Sequence, residues 1–155
     1  MNALIDEYEK GYERVREATQ GLSEQLLNYR PSEGAWNIRE IVVHLCDAEL
    51  VGIHRMKAVI AEQNPLMIAF DQDLWTSRLK YATLDHEFYL QLFRMLRESM
   101  AAVLRSLAPD DWNRSGIHNV AGKLTLKDIV ENYIEHVNAH LKQIERNKKA
   151  FAERG

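Results

Sequence analysis

A single cysteine, Cys46, rules out an internal disulfide framework, and with it the small secreted domains that depend on one. Only three prolines and seven glycines punctuate 155 residues, too few for a collagen-like or linker-rich chain. No apolar run approaches the roughly 20 residues of a membrane-crossing helix. The opening stretch MNALIDEYEKGYERVRE carries acids where a signal peptide has a basic end and an apolar middle. Basic excess is missing too. Twenty Lys and Arg against 23 Asp and Glu give a formal net charge of −3, with a pI of about 6.1, so the protein as a whole does not attract phosphate backbones. These absences lead to the expectation of one cytoplasmic domain, residues 1–155, with neither membrane nor nucleic acid as a partner.

Period-2 alternation is also lacking, whereas the 3.6-residue helical period recurs in four long segments, so the chain reads as all-α. The first helix is expected over about Asn2–Asn28, weakened but not stopped by Gly11 and Gly21, and is broken by Pro31 and Gly34. Asn37 caps the second, with Glu40 completing a capping box, and this helix runs to about Gln63. Residues 64–82 have no single period and are long for a connection between antiparallel neighbours, which suggests a crossover or a lid. A third helix follows from Thr83 as N-cap to Leu107. The fourth begins at Thr125, with Asp128 as its capping-box acid.

The fourth helix contains YIEHVNAHLKQIE, in which His136 and His140 stand one turn apart on the inward side or its edge. Two buried imidazoles need partners for their nitrogens and repel when both are protonated, a conflict that a shared cation removes. By themselves they read more readily as two satisfied core histidines, because an H-x-x-x-H pair arises often by chance. Val137 follows His136, so the H-E-x-x-H pattern of zincin hydrolases is absent. In WNIREIVVHLCDAEL, His44 flanks the apolar stripe of the second helix about two turns from its cap. Two ligands from one helix and one from another make a three-histidine set with positions left for water or substrate, the arrangement of a catalytic metal site.

The pattern W-N-x-x-E-x-x-x-H-L-x-D-A-E, Trp36 to Glu49, followed by H-x-x-x-H-L-x-Q-I, His136 to Ile144, resembles the DinB-like (DinB/YfiT) superfamily. FDQDLW, LFRMLR and HNVAGKLTL extend the likeness over nearly the whole chain. The resemblance implies a four-helix bundle of up-down-down-up topology, usually homodimeric, that binds a divalent metal such as nickel or zinc through His44, His136 and His140. It further implies likeness to transferases and isomerases that act on small molecules with low-molecular-weight thiols such as bacillithiol or mycothiol.

Around such an ion, Asp47 and Glu40 are placed to accept the second N–H of His44, although capping explains Glu40 and a solvated face explains Asp47 equally well. Asp47 and the loop residue His118 are the candidates for acid–base work. Arg94 and Arg97 can grip an anion or form surface ion pairs, and Cys46, two residues from His44, faces away as an inert thiol. The leading expectation is a metal-dependent enzyme of nucleophilic transfer. The alternative is a metal-binding bundle without catalysis that serves dimerisation or a stress-response partner.

Overall fold

The computed structural model describes residues 1–155. Helix α1 spans Asn2–Thr19 and stops short of the expected Asn28, because Gly21 at φ +71° turns the chain before Ser23 caps the short α2, Glu24–Leu27. Gly11 does not interrupt α1. A Cβ there would lie 2.6 Å from Nη1 of Arg97, so this glycine makes room for a buried guanidinium.

Helix α3, Ile38–Ala61, starts at the expected reciprocal cap: Glu40 N donates to Asn37 Oδ1 at 2.8 Å, and Asn37 N donates to Glu40 Oε1 at 3.0 Å. The connection after it holds a two-residue strand β1, Leu66–Met67, the helix α4, Gln72–Arg78, and a 3₁₀ turn, Tyr81–Thr83. Asp85, not Thr83, caps α5, His86–Arg105; the Thr83 hydroxyl donates instead to the Lys80 carbonyl. The last helix α6, Leu126–Glu153, begins at the expected Thr125–Asp128 capping box. An all-helical reading misses a hairpin of β2, Ser115–His118, and β3, Gly122–Thr125, with β1 added parallel to β2 through Leu66↔Ile117 and Met67↔His118. These strands are too short to display an alternating pattern. Gly122 at φ +78° closes the three-residue turn.

The chain directions follow from cross-helix pairs. Arg105 at the end of α5 bonds Asp6 and Glu9 near the start of α1, and Gln91 near the start of α5 bonds Tyr12, so these helices are antiparallel. The start of α3 meets the start of α5 through Arg39 and His86, and it meets the end of α6 through the Asn147–Trp36 bond, at Nδ2 to carbonyl oxygen. Thus α3 and α5 run parallel while α3 and α6 run antiparallel, which is the up-down-down-up bundle. Helices α1 and α3 each pack against both α5 and α6, leaving α1/α3 and α5/α6 as the diagonals.

The core has two apolar clusters, one around Met56, Met100, Leu104 and Val130, the other around Ile41, Leu45, Phe93 and Val137. A polar layer occupies the same interior. Arg97, 1% exposed, donates to Glu49 Oε2 at 3.0 Å, to the Tyr133 carbonyl at 2.8 Å and to the Tyr8 carbonyl, while the Tyr8 hydroxyl donates to Glu49. Arg97 is therefore a core cation rather than an anion grip, which corrects the surface reading of this residue. Arg94 remains exposed beside Glu98.

Candidate metal centre

The meeting of α3 and α6 is set by Gly52. A Cβ at this position would come within 2.4 Å of the Tyr133 ring, so only glycine lets that ring lie against α3, and the contact fixes the axial register of the two helices. Two turns along α3, His44 consequently faces His136 and His140. Its Nε2 lies 3.0 Å from Nε2 of His136, which is also 3.0 Å from Nε2 of His140. One ring nitrogen from each of the three falls within 4.8 Å of the others. His44 and His140 are buried and His136 is half-buried. Trp36 covers the group, with its ring 4.8 Å from that of His44 and parallel to that of His140 at 6.1 Å.

All three rings are held neutral. Burial, followed by the proximity of His140 and His136, pushes His44 down to about 2. Burial, His140 and Arg97 together push His136 down to about 3. Burial also lowers His140, against the opposing pull of Gln143. The 2.8 Å contact from His140 Nδ1 to Gln143 Oε1 assigns the ring proton to Nδ1 and leaves the Nε2 lone pair directed at the other histidines. Three neutral ring nitrogens gathered in this way, with Nε2 of His140 left unprotonated, suit a cation. Ligand nitrogens about 2.0–2.1 Å from zinc in tetrahedral geometry lie roughly 3.3–3.4 Å apart, a few tenths of an ångström from the two 3.0 Å contacts made by His136.

The family model of the DinB superfamily matches residues 7–144, a range that takes in all three histidines. The chain belongs to the DinB superfamily. A relative from Oceanobacillus iheyensis, provisionally named a metal-dependent hydrolase, is 27% identical over 144 residues, covering 93% of this chain and 83% of its own. Another so named, from Bacillus licheniformis, is 29% identical over 136 residues, covering 87% and 77%. Among solved structures, Bacillus subtilis YfiT, described as a probable metal-dependent hydrolase with an unusual four-helix bundle topology, superposes with a TM-score of 0.90 at 22% identity, over 97% of this chain and 86% of that one. A mycothiol-dependent maleylpyruvate isomerase gives a TM-score of 0.72 at 12% identity, over 92% and 59%. At these identities the two structures speak for the fold.

Other residues considered around the site of this DinB-superfamily chain lie elsewhere. The Asp47 carboxylate accepts the Tyr81 hydroxyl and makes no bond to His44. Glu40 is taken up by the Asn37 cap and by Arg30. His118 Nδ1 accepts from the backbone N–H groups of Val120 and Ala121 at 3.1 and 3.0 Å, so this imidazole organises the hairpin turn and is not among the converging nitrogens. Cys46 is buried, and desolvation pushes its thiol up to about 12. The partner of His140 is Gln143, one turn further along α6, at an i,i+3 spacing that sequence alone makes legible. Tertiary packing alone brings Trp36 over the rings. No helix is long and apolar enough to cross a membrane.

Proposed function

We propose that this protein is a divalent-metal-dependent enzyme in which His44, His136 and His140 hold zinc or nickel beside an open cleft. One observation carries the reading: three ring nitrogens from two helices, all neutral near pH 7, converge next to a cleft lined by His140, Gln143 and Trp36. A divalent ion held by three neutral ligands keeps its full charge, acts as a Lewis acid and lowers the pKa of a water or thiol that reaches it.

The chain's own groups do the rest. Gln143 fixes the tautomer and orientation of His140, the Trp36 ring excludes water from one side, and the Tyr133 hydroxyl, pushed up to about 12 chiefly by burial, stays protonated. The reaction proposed is attack by the sulfur of a low-molecular-weight thiol on an electrophilic carbon. A carbon–sulfur bond forms, the leaving group departs with its electron pair, and the thiol proton passes to solvent. The names given to the relatives support metal dependence, and those that specify hydrolysis make water the competing nucleophile. We extend the proposal to a cytoplasmic homodimer.

The test is elemental analysis of untagged protein purified without added metal, beside His44→Ala and His140→Ala, followed by thiol conjugation and ester hydrolysis assays. Near-stoichiometric metal in the wild type, loss of it in both variants and metal-dependent turnover are expected. Equally little metal in all three proteins would overturn the reading. Metal whose removal unfolds the chain without any turnover would mark a structural site.

A further inference from the structure

The cleft beside His140 has a volume of about 210 Å³, and a larger one of about 660 Å³ adjoins it. They share Gly34, Trp36 and Asp73, so the two clefts adjoin at the indole, and the groove they make has His140 near one end and Lys80 near the other, between the turn before α3 and helix α4. Its charges are uneven. Arg30 is neutralised by Glu40, but Arg146 and Lys80 have no carboxylate at ion-pair distance, and Asp73 is the one acid left to set against them.

Arg146 is also held in place. Asn147, fully buried, donates from Nδ2 to the Trp36 carbonyl at 2.9 Å, and its Oδ1 accepts from Nε and Nη2 of Arg146 at 3.3 and 3.0 Å. One buried amide thus links the guanidinium to the backbone of the groove's aromatic wall and leaves Nη1 free. Orienting a guanidinium in advance lowers the entropy lost on gripping an oxyanion, and its planar fork matches a carboxylate or phosphate. Lys80 offers a second, point-like cation further along.

We propose that this groove binds a small molecule bearing an oxyanionic group, carboxylate or phosphate, with Arg146 as the residue that recognises that group. The inference rests on the metal-enzyme reading only for where the reacting end lies, next to His140. Charge supports it without the ion: Arg30, Lys80 and Arg146 outnumber Glu40 and Asp73 along the groove, which makes an anion its natural occupant.

The test follows the Trp36 indole N–H by NMR, assigned by its loss in Trp36→Phe, as metal-free and zinc-loaded protein are titrated with succinate, inorganic phosphate and uncharged succinamide. One of the two anions is expected to shift the signal in a saturable way while succinamide does not. Arg146→Gln should weaken that anion about tenfold or more at unchanged zinc content, and Arg146→Lys should recover part of the loss. Tighter succinate names a carboxylate ligand, and tighter phosphate a phosphorylated one. No shift from either anion, or equal binding to Arg146→Gln, overturns the subsite even when zinc is retained. Anion binding in a protein that never retains zinc leaves the subsite standing and overturns only the metal reading.

Discussion

Acidifying the metal-free protein from pH 7 to pH 5 should cost it a large part of its stability, and His44 and His136 set most of the amount. An unfolded histidine titrates near 6.5, whereas His44 and His136 are pushed down to about 2 and about 3. Below pH 6.5 the unfolded chain therefore binds protons that the folded chain refuses, so stability falls as pH falls and goes on falling until the folded values are reached. At pH 5 the penalty is about 2 kcal/mol for a fully buried ring such as His44, and somewhat less for half-buried His136. A loss of about 3–4 kcal/mol is substantial against the roughly 5–15 kcal/mol that holds a typical domain together. Urea unfolding of metal-free wild type at pH 7, 6 and 5, beside His44→Leu, reads it directly. The variant should lose about 2 kcal/mol less across this range, and zinc should raise the stability of wild type by a similar amount at each pH and leave the slope in place, because the folded rings carry no proton for the metal to displace. Glu7 and Asp128, held below the ordinary carboxylate range by Arg14 and by Thr125 respectively, stay ionised in this window and contribute little. A metal-free protein equally stable at pH 7 and pH 5, or a variant with the wild-type slope, would refute the reasoning.

Arg97→Met should destabilise the protein by about 3–5 kcal/mol, because it strands the buried Glu49 carboxylate, and adding Glu49→Gln should restore much of that; denaturant unfolding of wild type and the two variants checks both. Gly52→Ala forces a methyl into the Tyr133 ring and should cost about 1–3 kcal/mol, with weaker zinc binding as the helix register shifts, measured by unfolding and by zinc titration. Gln143→Leu removes the partner of His140 and should weaken metal binding about 10- to 100-fold in a chelator competition, with little change in stability of the metal-free chain.

The helices were legible in the sequence because they combine a long apolar period with strong caps. Asn37–Glu40 and Thr125–Asp128 lie where the residue types demand. The misplacements are local contests between similar signals. Thr83 and Asp85 both offer a capping oxygen, and the carboxylate of Asp85, which accepts from Glu87 and Phe88, wins. Gly11 and Gly21 look alike in sequence, yet one borders a buried guanidinium inside a helix and the other adopts a left-handed turn. The histidines could be singled out by residue type and spacing. Their convergence depends on Gly52 against Tyr133, and Asp47 turns to Tyr81 instead, both consequences of side-chain packing between helices that no linear period encodes.

The polarity of the bundle has a consequence for the groove. Two successive helices that point the same way oblige the chain to travel back along the whole barrel, about 36 Å for the 24 residues of α3, before the next can begin. That return journey carries Gln72 and Asp73 past His140, so a flank of the chamber is furnished by a detour the topology already requires. Replacing residues 64–82 by a tight turn would reverse α5, remove Arg97 from its place beside Glu49 and strip Gln72 and Asp73 from the cleft beside His140 in a single change.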